Sequence, residues 1–261
     1  LLDDTANSRP GPEGVPLTCW KHAPEEVKAI IYKAYIALMN GADVPDDFNI
    51  AFMLFLAKGS EASDSESVAR KPKATRPLSL SNTDAKIMAD AIRAAAQPAV
   101  TTWQCPSQRG FTPDEFILDN AIDIETNAMV ASMNNSSFAA MVFYDFAAAF
   151  PSVAHAFIFI TLSMLGVPRS VIRAIKQLYK NNVHILRMGR CSKTGFVVLS
   201  GVKQGCPLSG LLFVIVCVML FFVPSPLLLV HMALREPLRM MWPLYCMTSL
   251  CRHQRLKNCS P

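Results

Sequence analysis

The sequence predicts an α+β fold, and three observations predict it. Hydrophobic residues make up 51% of the 261, enough for one large or two small domains with ample core and too many for a mainly disordered chain. Several stretches carry apolar residues at helical spacing, bounded by Pro, Gly and acidic residues. Between them lie short apolar runs rich in β-branched and aromatic residues, the pattern of strands.

In chain order, residues 1–22 are rich in Pro and Gly and read as an irregular lead-in. Pro24-Glu25-Glu26 opens a helix whose stripe is Val27, Ile30, Ile31, Ala34, Tyr35 and Leu38, and Asn40-Gly41 stops it. Ile50 to Leu56 reads as a strand. Ser60 to Thr75 is polar and reads as a flexible loop, whose basic run Arg70-Lys71-Pro72-Lys73 with Arg76 suits phosphate neutralisation or a merely solvated loop. Thr83-Asp84 caps a helix with Ile87, Met88, Ala91, Ile92 and Ala95 on one face, ending near Gln97-Pro98. Thr112-Pro113-Asp114-Glu115 has the form of a capping box, predicting a helix from there to about Met133.

Ala139-Ala140-Met141-Val142, running on to Asp145, then reads as a buried strand, with a helix segment as the alternative. A carboxylate there is costly to bury without a partner. Two partners suit it, a metal ion or the turn that follows. Gly166-Val167-Pro168 precedes a helix carrying Val171, Ile172, Ile175, Leu178 and Tyr179, with Arg173, Lys176 and Lys180 on a second face, suited to a duplex backbone or to solvent. Val183–Met188 and Thr194–Ser200 read as a hairpin around Gly189-Arg190. Gly201 to Ser209 is a glycine-bracketed polar loop entering an apolar helix with Pro207 in its first turn. The apolar run 211–230 approaches a bilayer in length, but Pro224 and Pro226 favour a buried helix ending before them.

Two stretches resemble the reverse transcriptase family, in its non-LTR (LINE-like) retrotransposon and group II intron branch. Phe143-x-Asp145-Phe146-x-x-Ala149-Phe150-x-Ser152 is similar to the first catalytic motif of that family. Gly201-Val202-x-Gln204-Gly205-x-Pro207-Leu208-Ser209-x-x-Leu212-Phe213 is similar to its nucleotide-binding motif, which is long and specific. Arg76-Pro77-Leu78-Ser79-Leu80 and Gln108-Arg109-Gly110-Phe111 resemble its finger motifs, and Pro10–Pro16 and Phe55–Gly59 resemble the segments before them. The resemblance runs from about Pro10 to about Phe222.

It implies a right-hand polymerase fingers–palm domain with the thumb absent. The expected parts are a lead-in and helix at 1–49, fingers and palm at 50–222, and an aberrant tail at 223–261. It implies RNA-directed DNA polymerisation from an RNA template, a DNA primer and dNTPs, with two Mg²⁺ (or Mn²⁺) ions in an intact member. Asp145 would be a catalytic metal ligand and Phe146 would lend its main-chain carbonyl. Phe150 would exclude a ribose 2′-hydroxyl. Gln204 and Gly205 would line the nucleotide pocket, and Lys58 and Arg76 would meet the triphosphate. Arg70, Lys71, Lys73, Arg173, Lys176 and Lys180 would contact template and primer.

Charge placement supports a polyanionic partner. Residues 1–145 hold 12 Lys/Arg against 19 Asp/Glu, whereas residues 146–261 hold 13 Lys/Arg against one acid, Glu236. The eight cysteines form no CxxC pair, and Cys246, Cys251, His253 and Cys259 fit no common zinc spacing. The start lacks Met and a signal peptide, so an intracellular fragment, nuclear or cytoplasmic, is expected.

The departures from the family pattern are equally informative. Position 148 is Ala where the family has Lys, position 210 is Gly where it has Pro, and the second, Asp-Asp motif is missing. One carboxylate does not hold two hard ions. The expectation is therefore a reverse transcriptase domain that is inactive as written. The alternatives are a nucleic-acid-binding remnant and a small protein anchored in a membrane through 211–230.

The codons of the tail carry a further expectation. Met has only ATG, Trp only TGG, and Pro codons begin CC. Reading each codon of Arg239-Met240-Met241-Trp242-Pro243-Leu244-Tyr245 from the last base of the preceding residue forces Asp, Val and Ala. It permits Ala-Asp-Asp-Val-Ala-Leu-Val, which resembles the missing motif. The tail is thus expected to be out of frame, with the change between Phe213 and Arg239.

Overall fold

The computed structural model describes residues 8–59, 70–103, 107–133, 143, 145–146, 148–189 and 191–222. They fall into two compact units. One combines the chain up to Pro98 with Phe150–Phe213; the other combines Ala99–Ala149 with the chain from Val214.

The first unit is built on a four-stranded sheet of order β2-β1-β3-β4. Its strands are β1 (Ala51–Ala57), β2 (Thr75–Ser81), β3 (Val183–Met188) and β4 (Cys191–Val197). β1 runs antiparallel to β2, with Ala51 opposite Ser81 and Ala57 opposite Thr75, and parallel to β3, with Ala51 opposite His184. β1 lies where the apolar run predicts it. β2 falls on Arg76-Pro77-Leu78-Ser79-Leu80, where the sequence announces no strand because Pro77 cannot donate to a ladder. β2 is an edge strand, so that missing donor costs little. The β3–β4 hairpin turns at Gly189 as expected, but β4 starts at Cys191, three residues before the predicted Thr194.

Seven helices accompany the strands among the described residues: α1 (Leu17–Lys21), α2 (Glu25–Met39), α3 (Thr83–Trp103), α4 (Ile117–Met133), α5 (His155–Met164), α6 (Arg169–Tyr179) and α7 (Pro207–Phe222). α2 begins after Pro24 with Glu25 and Glu26 in its first turn, where acids suit the helix dipole. Its buried line is narrower than predicted. Ile31 and Leu38 are buried and Tyr35 is half-buried, but Val27, Ile30 and Ala34 face solvent; the helix that α2 packs against is α6.

α3 passes through Pro98 rather than ending there. Pro98 and Ala94, whose carbonyl loses its usual donor, are both exposed, so water can satisfy the free oxygen. The lead-in is not simply irregular. It forms α1 and docks on the start of α3, where Glu13 accepts from the Thr83 amide at 2.6 Å and the Thr83 hydroxyl donates to the Val15 carbonyl at 2.6 Å.

The core collects Met88 and Ile92 of α3, Ile158 and Leu162 of α5, Ile175 and Leu178 of α6 and Leu208, Leu211 and Leu212 of α7, each at most 5% exposed. α5 has no counterpart in the sequence reading, since its ten residues are nearly all apolar and show no face. Among the described residues no helix is long and apolar enough to cross a membrane.

In the second unit, α4 starts at Ile117, not within the expected capping box. Asp114 has φ 62°, a left-handed conformation that a first helical turn excludes. Glu115, the expected reciprocal cap, pairs instead with Arg109 at 3.5 Å. Arg109 also holds Asn120 at 2.8 Å and Asp123 at 2.7 Å on α4. No residue of α4 is buried.

Candidate functional site

The loop of residues 201–206 is held from two sides. Ser200 bridges Ala154, the Gly201 amide donates to the Val153 carbonyl at 2.6 Å, and the Val202 amide donates to the Phe150 carbonyl at 3.0 Å. The residues that follow the Asp145 stretch thus carry the start of the loop. On the other side, the Ser79 amide of the edge strand β2 donates to the Gln204 carbonyl at 2.7 Å. Glycine is required at both contacts. Gly201 has φ 87°, and a Cβ there would stand 2.8 Å from Pro151 Cα; Gly205 has φ 106°, and a Cβ would stand 2.7 Å from the Ser79 carbonyl oxygen.

Phe150 stacks at 4.9 Å on Phe213 of α7, so its ring is partly a packing group. Gln204 is half-buried and Gly205 exposed beside β2. Phe150 thus supports the start of the loop through its carbonyl, and Gln204 ties the end of the loop to β2.

The basic residues form two groups. At the far end of the β1–β2 ladder, Arg76 lies opposite Leu56, the Lys58 ammonium donates to the Lys73 carbonyl at 3.1 Å, and the Arg70 guanidinium donates to the Lys58 carbonyl at 3.0 Å. Lys71 and Lys73 are exposed beside them. These backbone ties order a tip where the sequence suggests a flexible loop; residues 60–69 lie outside the described residues. Arg173 and Lys176 on α6, at i and i+3, and Lys180 just after its end, where the backbone turns extended, are all exposed. Two are partly engaged within the chain: the Lys176 ammonium sits 5.2 Å over the Phe159 ring, and Lys180 pairs with Asp43 at 3.2 Å.

Asp145 and Phe146 are exposed and belong to the other unit. The strand expected before Asp145 lies mostly outside the described residues; Phe143 and Asp145, which are described, are in no strand and face solvent. Among the described residues no three His, Cys, Asp or Glu side chains cluster as metal ligands. Among the described residues, Asp145 is thus brought together with no second ligand for a pair of divalent ions. Cys246, Cys251, His253 and Cys259 also lie outside the described residues.

Sequence reasoning missed Lys203. It is 7% exposed, its ammonium donates to the Leu178 carbonyl at 2.9 Å, and it lies 5.5 Å over the Tyr179 ring. Burial pushes its pKa down to about 8. A lysine between Val202 and Gln204 in a glycine-bracketed loop reads as solvent-facing, so no signal marked it. Two histidines line the same region. His155, at the start of α5, meets the Gly201 carbonyl at 2.8 Å, and burial lowers its pKa. His184 on β3 is 2% exposed with no hydrogen bond to either ring nitrogen among the described residues, and burial pushes its pKa down to about 4.

Comparison with known proteins gives concordant matches. The family described as "Reverse transcriptase (RNA-dependent DNA polymerase)" matches residues 65–222. The "Retrovirus-related Pol polyprotein from type-2 retrotransposable element R2DM" of Drosophila melanogaster is 28% identical over 209 residues, which is 79% of this chain and 18% of that protein. The "Transposon TX1 uncharacterized 149 kDa protein" of Xenopus laevis is 24% identical over 207 residues, 79% of this chain and 15% of that protein. The chain spans less than a fifth of the length of either curated relative.

Proposed function

The chain belongs to the reverse transcriptase family, with non-LTR retrotransposon proteins as its relatives, and from that premise we propose that it is the fingers and partial palm of a retroelement polymerase, able to bind nucleic acid but unable to polymerise as written. In this reading the tip formed by Lys58, Arg70, Lys71, Lys73 and Arg76 holds triphosphate and template. Arg173, Lys176 and Lys180 neutralise duplex phosphates. Gln204, Gly205 and Phe150 form the nucleotide wall, with Phe150 set against a 2′-hydroxyl. The thumb lies outside this part, and the protein works inside the cell, where its nucleic acids are.

The observation that carries the inactivity is the supply of carboxylates. After Asp145 the chain has one, Glu236. Family chemistry with two Mg²⁺ or Mn²⁺ ions needs several hard oxygen ligands converging on one point. Asp145 with the Phe146 carbonyl supplies one side of such a site and nothing supplies the other. The chain's own residues then bind and orient, without chemistry.

The tail from 223 is read as out of frame. The family match stops at residue 222. In the shifted reading Met240–Met241 gives Asp, and Met247–Thr248 gives a further forced Asp (GAC). The opposite shift meets a stop, TGA, at Met240–Met241, so only one shift is open there. The membrane-anchored alternative loses its ground with this, because the apolar residues after 222 become products of the wrong frame.

The test is binding and extension measured together, on a labelled RNA template with a DNA primer. The expected result is binding that weakens steeply with salt and no extension in Mg²⁺ or Mn²⁺. Substituting both Arg173→Gln and Lys176→Gln should lower the slope of log affinity against log salt by about 2. Extension by the chain as written would refute the inactivity, and salt-independent binding would refute the phosphate contacts.

A further inference from the structure

The family match begins at residue 65, yet the lead-in well before it is tied to the junction that the nucleotide loop leans on. β2 ends at Ser81 and α3 starts at Thr83, so Asn82 alone separates them. The Asn82 carbonyl accepts the Lys86 amide at 3.1 Å, which puts Asn82 at the capping position of α3. A capping Asn ordinarily turns its side chain onto an amide of its own helix. Here the Asn82 side-chain oxygen accepts the Glu13 amide at 3.3 Å, and the Glu13 carboxylate accepts the Thr83 amide at 2.6 Å. The exchange has the form of a capping box whose acid comes from 70 residues away.

Neighbouring contacts fasten the same stretch. The Thr83 hydroxyl donates to the Val15 carbonyl at 2.6 Å, and the Lys86 ammonium donates to the Arg9 carbonyl at 2.6 Å and to the Ser8 hydroxyl at 3.4 Å. Gly11 lies against the junction itself: a Cβ there would stand 2.5 Å from the Asn82 amide nitrogen. Two residues before Ser81, the Ser79 amide holds the Gln204 carbonyl at 2.7 Å, and the Ser79 carbonyl leaves no room for a side chain at Gly205. Lead-in and loop are thus neighbours on the end of β2, an edge strand with β1 as its ladder partner. All of these residues belong to the first unit.

We propose that Glu13 is a positioning residue for the nucleotide loop: by holding the start of α3 it fixes the end of β2, and through Ser79 it fixes Gln204 and Gly205. The role rests on the reading of that loop as the nucleotide wall, whereas the coupling from Glu13 to Gln204 is a property of the fold alone. The lead-in then belongs to the working unit of the domain, which includes residues well before the start of the family match.

The test is amide hydrogen exchange on the full chain, with Glu13→Ala beside Glu13→Gln. In Glu13→Ala the Ser79 amide should exchange about tenfold faster, the loss of one helix cap read as a local opening. The Gly201 and Val202 amides, held from the other side by Val153 and Phe150, should change by less than about twofold. Glu13→Gln keeps an acceptor oxygen at the same reach and should restore wild-type exchange at Ser79. Equal acceleration of all three amides would make Glu13 a general stabiliser and overturn the proposal, as would an unchanged Ser79 amide or a Glu13→Gln that does not restore it. Should Glu13→Ala fail to fold, Glu13→Asp, one methylene shorter, is judged by the same criteria. No nucleic acid enters this measurement, so its failure is separate from failure of the binding and extension assay.

Discussion

The 201–206 loop and the 143–150 stretch carry the two motifs that point to a polymerase, and they are treated very differently by the rest of the chain. The loop is fixed on both sides: its carbonyls and amides pair with Ser79, Phe150 and Val153, its lysine is buried, and two glycines fit where no other residue would. The carboxylate stretch has Asp145 and Phe146 in solvent, and Ala148 is in the left-handed region at φ 53°. A motif becomes a site only when its neighbours are present. The loop's neighbours, β2 and the 150–153 turn, are encoded in this chain. After Asp145, by contrast, the chain has one carboxylate, Glu236, and in the proposed reading Asp145 lacks its partners.

Four measurements would break or sharpen that contrast. The largest effect comes from acid. His184 behind the loop has its folded pKa depressed by burial to about 4, so it is neutral in the fold and protonates more readily when unfolded. Stability should therefore be full above about pH 6.5 and fall as pH drops toward 4, by up to about 3 kcal/mol. Denaturant titrations across that range check it, and His184→Leu should flatten the curve. An unchanged slope in the variant would assign the acid sensitivity elsewhere. Second, Gly201→Ala forces a Cβ against Pro151 at a positive φ and should cost about 2 kcal/mol. Third, Ala148→Gly should gain about 1 kcal/mol by releasing a left-handed alanine. Last, Asp145→Asn should change stability by less than about 0.5 kcal/mol, since the side chain is exposed. A large loss there would mean that Asp145 holds structure.

Much of this was legible in the sequence, for identifiable reasons. α2, α6 and α7 announce themselves through Pro at the start and apolar spacing, and β1 through its apolar run. The turn at Phe150 and the glycine-bracketed loop, which the motifs single out, are joined by the Val202–Phe150 hydrogen bond. Other parts depend on facts that a sequence does not carry. β2 is hidden by Pro77, which only an edge position tolerates. The 112–115 box fails because Arg109 takes Glu115 from across the turn. The exposure of Ile30 beside buried Ile31 follows from where α6 lies, which periodicity cannot say. Lys203 is the clearest case, since a charged residue in a polar loop gives no hint of burial.

The central claim is that this chain retains a polymerase's nucleotide loop but lacks its carboxylates because the tail is out of frame. The most direct measurement is primer extension on an RNA template by two proteins: the chain as written, and the chain translated from the same gene with the codons after Phe222 read one base earlier. The account predicts no extension by the first and Mg²⁺-dependent extension by the second, abolished by Asp145→Asn. Extension by the chain as written, or a stop codon in the shifted reading before residue 239, would contradict it.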